Sequence, residues 1–348
     1  MAFATGAALA ERIGSEGFVA LAAGIDQHEL ESRFTAARER IAMLPIPERR
    51  PQAFTNRFAL IDSPARLDDL RDHAAAWRPD VIVHESAELA GPVVAAGLNI
   101  PSVNHSFGRM IPRAAIDRAA PAAAAMWERA GLDPEPFAGF FRGMYVDISP
   151  ASLASEHPPA GTPVLRMRPV ETASNAVATQ RPLVYVTLGT IASDIAVFQL
   201  LLAALAHLDI DVLVTTGKQN DPATLEPLPA NATVERYVPQ AEVLPRASIV
   251  VTHGGSGSML GALAHGLPMV IAPRAADQFE NASAAADAGV ALVLLPDELT
   301  EDAVCEAVGS LIADGSYRAA ARTLADEIAA MPSPREVAAT IAGAVNGL

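Results

Sequence analysis

The sequence predicts an α/β protein built of two Rossmann-like domains, and three observations carry that expectation. Short runs rich in Val, Ile and Leu alternate with helix-length stretches along the chain. The rhythm breaks at a proline-containing segment near the middle and then restarts. The chain has 348 residues, of which 51% are hydrophobic and 19% charged, enough for two buried cores. Aromatics make up only 5%, so those cores must be built from Ala, Val, Leu and Ile. Such a composition suits parallel sheets covered by helices.

The first half opens with Ala2-Phe3-Ala4-Thr5-Gly6, an apolar run ending in glycine, followed by a helical stretch and a second strand candidate, Phe18 to Leu21. Residues 25–60 are polar and proline-containing and carry no clear period. Asp68 to Trp77 reads as helix, Asp80 to His84 as a buried strand, Leu89 to Leu98 as helix and Ile100 to Asn104 as strand. Prolines then accumulate over 145–182, and Arg168 to Arg181 reads as a linker. Beyond it, Leu183 to Thr187 is a strand, Ser193 to Leu208 a helix, and Val212 to Val214 the next strand. Ile249 to Thr252, Met269 to Ile271 and Val290 to Leu294 are later strands. The division predicted is residues 1–167, a linker over 168–181, and residues 182–348, with a cleft between the domains. In open α/β sheets, ligands sit at the C-terminal ends of strands.

Composition excludes several functions. Formal net charge is -15, from 25 Lys+Arg against 40 Asp+Glu, and no basic run marks a nucleic-acid face. An anionic ligand must therefore be held by local devices such as helix N-termini. The single cysteine, Cys305, forms no intrachain disulfide and reads as a buried thiol in a helix. No run of about 18 apolar residues predicts a membrane span, and no charged-then-apolar leader opens the chain. A cytoplasmic protein is expected. No His/Cys/Asp cluster has metal-ligand spacing, so no metal or cofactor is expected.

The strongest local signal is Val251-Thr252-His253-Gly254-Gly255-Ser256-Gly257-Ser258, where a buried strand enters a glycine turn and then a helix. Glycines let the backbone approach an anion without Cβ clashes. The free N–H groups and positive end of the following helix hold phosphate, and Ser258 offers a hydroxyl. Taken alone, such a turn serves plain chain geometry as often as ligand binding. Downstream, the strand Pro268 to Pro273 ends in a loop bearing Asp277-Gln278-Phe279-Glu280-Asn281, whose acceptor and amide side chains suit sugar hydroxyls. Alone, Asp277 and Gln278 would read as a solvated turn or helix cap.

The order HGGSGS…GLP…P…DQ resembles the signature of the UDP-glycosyltransferase-like superfamily of inverting enzymes, closest to bacterial members that glycosylate natural products. Arg236 to Leu244 and Thr187-Leu188-Gly189-Thr190 match two further elements of that family. The resemblance is strong over about Arg181 to Leu295 and looser before it. It implies a GT-B fold, two Rossmann-like domains facing across a cleft, and a nucleotide sugar as co-substrate. It implies transfer of a hexose or deoxyhexose from a UDP- or dTDP-sugar to a hydroxyl of a small, apolar acceptor, with inversion and without metal. By the same resemblance His253 contacts the phosphates, and Gly254, Gly255, Ser256, Gly257 and Ser258 bind the pyrophosphate, joined by Thr190. Asp277 and Gln278 hold sugar hydroxyls, and Tyr237, Val238 and Gln240 the nucleobase. One departure stands out: Gly261 occupies a helix position that is acidic in many family members.

Members of the family open with a strand followed by Gly-His-x-x-Pro, whose His is the general base. No Gly-His dipeptide occurs here, and Met1 to Gly6 looks like the family's second strand. The expectation is therefore an incomplete N-terminal domain lacking its first βα unit. Glu85, after a buried strand, is the candidate for the acidic residue that orients the base; His84 is either a substitute base or a residue with a structural or acceptor-contact role. His105 and Ser106 are candidates for the acceptor site. Met126, Trp127, Phe137, Phe140 and Phe141 read equally as core or as an apolar acceptor pocket. The alternative function is a non-catalytic nucleotide-sugar binder without its base.

Overall fold

The computed structural model describes residues 1–169, 181–189, 194–217 and 220–346. The chain divides into two units. The first comprises Met1–Asp147, Glu156–Leu165 and the chain from Arg335; the second comprises Ile148–Ser155 and Arg166–Pro334. The C-terminal helix thus groups with the first unit, whereas the sequence division kept it with the second. Most of the expected linker, residues 170–180, lies outside the described residues.

In the first unit β1 (Ala2–Thr5), α1 (Ala10–Ser15) and β2 (Val19–Ala22) form a two-stranded parallel sheet with its crossover helix. Then come α2 (Gln27–Ala42), α3 (Ile46–Phe54), a wide π-helical stretch over Thr55–Asp62, and α4 (Ser63–Trp77). These helices fill the segment that showed no period in the sequence. Pro51 sits inside α3, and α2 buries only the narrow stripe Leu30, Phe34, Ala37 and Ile41, which dilutes the periodic signal. A four-stranded sheet follows: β3 (Ile82–Glu85), α5 (Ala90–Gly97), β4 (Ser102–His105), α6 (Arg113–Arg129), β5 (Met144–Asp147) and β6 (Val164–Arg166), in the order β3-β4-β5-β6. Gly143 sits where an added Cβ would lie 2.0 Å from the Ser102 carbonyl, so only glycine lets β5 approach β4 there.

The core of this unit answers one question left open by the sequence. Met126, Trp127 and Phe140 are buried, and Phe137 and Phe141 pack against the same cluster. Phe140 and Phe141 meet edge-to-face at 4.7 Å, and the Arg113 guanidinium lies 4.2 Å from the Phe137 ring centre. These side chains are core. Backbone strain accompanies them, since Phe137 and Ala138 both adopt left-handed conformations before Gly139. Gly139 is required there, because a Cβ would meet the Trp127 ring at 2.6 Å.

The second unit runs β7 (Leu183–Thr187), α7 (Ile195–Leu205), β8 (Asp211–Thr215), β9 (Ala232–Glu235), α8 (Gln240–Val243), β10 (Ile249–Thr252), α9 (Ser256–Ala264), β11 (Met269–Ile271), α10 (Gln278–Asp287), β12 (Ala291–Val293), α11 (Glu301–Ala313) and α12 (Gly315–Ala330). The remaining helix is α13 (Pro334–Asn346). Six parallel strands lie in the order β12-β11-β10-β7-β8-β9. Alternate strand residues feed two cores. Leu183, Tyr185, Val250, Met269 and Ile271 face one, with α9 and α12 residues; Val184, Val186, Ile249, Val251 and Val270 face the other, with α7 and α11 residues. Phe198, Leu201 and Leu205 of α7 are fully buried, each burial contributing about 1.5–3 kcal/mol. Cys305 of α11 is partly buried rather than buried. The strand order reverses between β7 and β10, which makes their C-terminal ends the switch point where open α/β sheets hold ligands.

Candidate functional site

At that switch point β10 ends in Thr252, and His253, Gly254 and Gly255 lead into α9. The His253 imidazole is lodged between two glycines. A Cβ on Gly189, in the turn after β7, would lie 2.7 Å from its Cε1, and one on Gly255 would lie 2.5 Å from its Nε2. Gly254 and Gly189 also adopt positive φ, +83° and +77°. A Cβ on Gly254 would meet the Ile271 side chain at 2.7 Å. The glycines therefore answer to three different close approaches. Burial lowers the pKa of His253, while a backbone hydrogen bond with Thr187 and the charge of Asp277 act in the opposite sense. Thr190, the other expected contact of the β7 turn, lies outside the described residues.

α9 begins at Gly255 with no side-chain cap, so the first-turn amides of Ser256, Gly257 and Ser258 present their N–H groups to whatever enters the turn. Gln240, at the start of α8, donates from Nε2 to the Ser258 hydroxyl at 3.3 Å. The same amide lies close to Gly261: a Cβ there would lie 3.3 Å from Gln240 Oε1 and 3.2 Å from Leu244 Cδ1, so a side chain at this position requires both to shift by a few tenths of an ångström. Tyr237 is exposed and Val238 packs against the core.

The Asp277 loop joins this turn directly. Asp277 occupies the N-cap position of α10 but does not cap it. Its Oδ2 instead accepts from Ser256 Oγ at 2.8 Å and from Asn281 Nδ2 at 3.0 Å. Gln278 Oε1 accepts from the Arg274 and Ala275 amides at 2.8 and 3.0 Å, which shapes the loop. Ala276 is held in a left-handed conformation between them. Asn281, quoted in the motif but not singled out by the sequence reading, is 1% exposed and bonds to both sides of this junction. Its partners lie up to 27 residues away, so spacing alone offered no signal.

In the first unit, Glu85 ends β3, in register with His105 of β4. In-register neighbours share a face of the sheet, so these two side chains stand together. His84 takes the opposite face, beneath α5, where a Cβ on Gly91 would lie 2.8 Å from it. Its Nδ1 is 3.1 Å from the Glu85 carbonyl, and burial lowers its pKa to about 4. His84 is thus packed under α5, away from the face that carries Glu85 and His105. Glu85 Oε2 accepts from the Ala87 amide at 2.8 Å. Desolvation, then the charge of Glu88, raises its pKa to about 7, against the Ala87 hydrogen bond and Arg66. Part of Glu85 faces solvent, so water tempers the effect of the protein atoms around its carboxyl. Glu88 is buried, accepts from the Ala90 amide at 2.8 Å and pairs with Arg66, which also binds Asp62 at 2.9 Å. His105 is partly exposed and its pKa is lowered by burial. Ser106 is buried and its amide bonds to the Val146 carbonyl at 2.9 Å. Among the described residues, no three His, Cys, Asp or Glu side chains gather as metal ligands, and no helix is long and apolar enough to cross a membrane.

Known proteins match both halves of the chain. The family model of the erythromycin biosynthesis protein CIII-like N-terminal domain matches residues 1–180, and that of the C-terminal domain residues 199–343. Both halves of the family are thus represented, and the expectation of an incomplete N-terminal domain is not borne out. The chain is 35% identical over 295 residues to the elloramycin glycosyltransferase ElmGT of Streptomyces olivaceus, covering 79% of this chain and 71% of that protein. It is 33% identical over 292 residues to the L-demethylnoviosyl transferase of Streptomyces niveus, covering 79% and 74%. The structure of the glycosyltransferase VinC in complex with dTDP superposes with a TM-score of 0.77 at 25% identity, over 99% of this chain and 92% of that one. The calicheamicin glycosyltransferase CalG4 superposes with a TM-score of 0.78 at 21% identity, over 99% and 90%.

Proposed function

We propose, for a chain that belongs to the erythromycin biosynthesis protein CIII-like family, how its residues carry out the work of that family. The protein is a natural-product glycosyltransferase of GT-B fold. Its donor is a UDP- or dTDP-sugar carrying a hexose or deoxyhexose, and its acceptor is a hydroxyl of a small, largely apolar molecule. The observation that carries the donor assignment is the His253 ring held between Gly189 and Gly255 beside the uncapped start of α9.

The diphosphate lies against the first-turn amides of α9, where aligned N–H groups and the helix dipole favour an anion by roughly 0.3–1 kcal/mol, more when partly buried. His253 donates a hydrogen bond to the same diphosphate. Asp277 Oδ1 accepts from a sugar hydroxyl, and Gln278 offers its amide. The acceptor oxygen attacks the anomeric carbon, the bond from that carbon to the phosphate oxygen breaks, and the nucleoside diphosphate leaves with the electron pair. One displacement inverts the centre. Glu85 takes the acceptor proton, with His105 beside it. Charge on the leaving group is met by amides and His253, positioned before reaction, so no metal is required. A nucleotide-sugar donor goes with a cytoplasmic location.

Calorimetry with UDP and dTDP tests the donor assignment. The parent binds at least one of them, and His253→Ala weakens that binding about tenfold, the scale of one lost charge-assisted hydrogen bond. Equal affinity in variant and parent refutes the role of His253.

A further inference from the structure

We infer that Asn281 is a positioning residue that locks the sugar-binding carboxylate of Asp277 onto the phosphate-binding turn, so that one buried amide sets the donor geometry of both. The inference rests on the sugar role of Asp277 proposed above and adds a residue to it.

Asn281 lies one turn into α10 and is 1% exposed. Its Nδ2 reaches three acceptors: the Gly254 carbonyl at 2.9 Å, Asp277 Oδ2 at 3.0 Å and Ser256 Oγ at 3.2 Å. Ser256 in turn gives its hydroxyl proton to the same Asp277 oxygen at 2.8 Å. All three neighbours of Nδ2 therefore present lone pairs, so only the nitrogen of the amide fits in this place. Two N–H groups shared among three acceptors make a compact clamp across three segments: the glycine turn, the first residue of α9 and the N-cap of α10.

The clamp acts on both parts of the donor site. Gly254 has φ +83° and carries no side chain of its own, so the Asn281 bond to its carbonyl fixes the plane of the peptide leading to Gly255 and α9. At Asp277, two donors converge on Oδ2, which fixes the carboxylate's rotation and leaves Oδ1 as the oxygen for a ligand hydroxyl. An aspartate at 281 would set a second carboxylate against Asp277 and the Gly254 carbonyl, with no donor between them. An alanine would leave the Gly254 carbonyl without its side-chain partner and Asp277 with Ser256 alone.

Binding of UDP, dTDP and their glucose conjugates to the full chain separates this role from a structural one. The quantity read is the ratio between the affinity of a nucleotide sugar and that of its own diphosphate. Asp277→Ala is expected to erase this ratio. Asn281→Ala is expected to erase it equally and, through the glycine turn, to weaken the diphosphate itself to a smaller extent, and in this ratio the double variant is no worse than Asp277→Ala, as coupled residues require. If Asn281→Ala weakens both ligands alike, or the double loss is additive, the positioning role is overturned. If Asp277→Ala leaves the ratio intact, the sugar role of Asp277 falls, and this inference with it. Ser256→Ala removes the second donor to Asp277 together with one of the three acceptors of Asn281, and serves if Asn281→Ala does not fold. It is expected to lower the ratio in the same direction, and no change in the ratio overturns the clamp.

Discussion

Glu85→Gln and Glu88→Gln, followed across pH, give the sharpest test of the catalytic assignment. The Glu85 carboxyl has a pKa of about 7, displaced from 4.5 by desolvation first and by Glu88 after it. Only the ionised form takes a proton from an acceptor hydroxyl. At that pKa the ionised fraction rises from about 3% at pH 5.5 to about 90% at pH 8, roughly thirtyfold, which is an upper bound because Glu85 is exposed and solvent screens its carboxyl; a carboxylate at its ordinary value would change by only about a tenth. The charged neighbours are Asp62, Arg66 and Glu88; Asp62 and Glu88 hold the pKa up and Arg66 holds it down. His105 stands in register beside it, with its pKa lowered, and adds no charge over the upper part of this range. Removing the charge of Glu88 must therefore move the inflection to lower pH. The assay is kcat/KM for sugar transfer between pH 5 and 9 at fixed ionic strength, for parent, Glu85→Gln and Glu88→Gln. Glu85→Gln is expected to lose about 10²–10⁴-fold in rate, the range of a positioned base, together with the acid limb. A flat acid limb in the parent, or an inflection moving to higher pH in Glu88→Gln, refutes the reasoning.

Two further predictions concern acid stability and metal. The pKa of His84 is 6.5 ordinarily and about 4 in the fold, so the unfolded chain takes up a proton over an interval in which the native chain does not. Stability is therefore lost as pH falls from about 6.5 towards 4, by about 3 kcal/mol in total, and is level above that interval. Urea unfolding of parent and His84→Gln over this range checks it; the difference between them must shrink towards low pH, and a constant difference refutes it. EDTA is expected to leave the transfer rate of the parent unchanged, because amides and His253 meet the leaving charge; loss of rate restored by Mg²⁺ or Mn²⁺ would show otherwise.

The part of the fold legible in the sequence is the part buried on two sides. Strands such as Val184–Val186 and Ile249–Val251 send alternate residues into two cores, so nearly every position must be apolar and the run is conspicuous. Strands β6 and β9 are three and four residues long and partly exposed, and left no such mark. The helices of residues 27–54 bury few positions each, and Pro51 interrupts the period. The glycine turn was legible as chemistry because its residue types are sterically forced, yet which glycine faces what was not. Gly189 and Gly255 are spaced by 66 residues and close on the same imidazole from either side. That contact belongs to the sheet order, not to any local spacing.

The two candidate sites differ in how much of their electrostatics a motif can express. At the donor turn, the partners proposed for the anion are mostly backbone amides, so the pattern of small residues that exposes those amides is itself the signal. Around Glu85, the working property is a displaced pKa, and its determinants are side chains brought together by tertiary packing: Arg66 and Asp62 from α4 and its approach, Glu88 from the turn before α5. No residue in that set lacks an ordinary surface reading in the sequence. Strand alternation, however, already separated the two catalytic candidates. His84 and Glu85 are consecutive in β3 and must face opposite ways, so only one of them stands beside His105; that one is Glu85, while His84 is buried under α5. The proton acceptor proposed for this unit is therefore a carboxylate whose pKa is raised first by desolvation and then by Glu88, against the Arg66 that pairs with Glu88 at the β3–α5 turn.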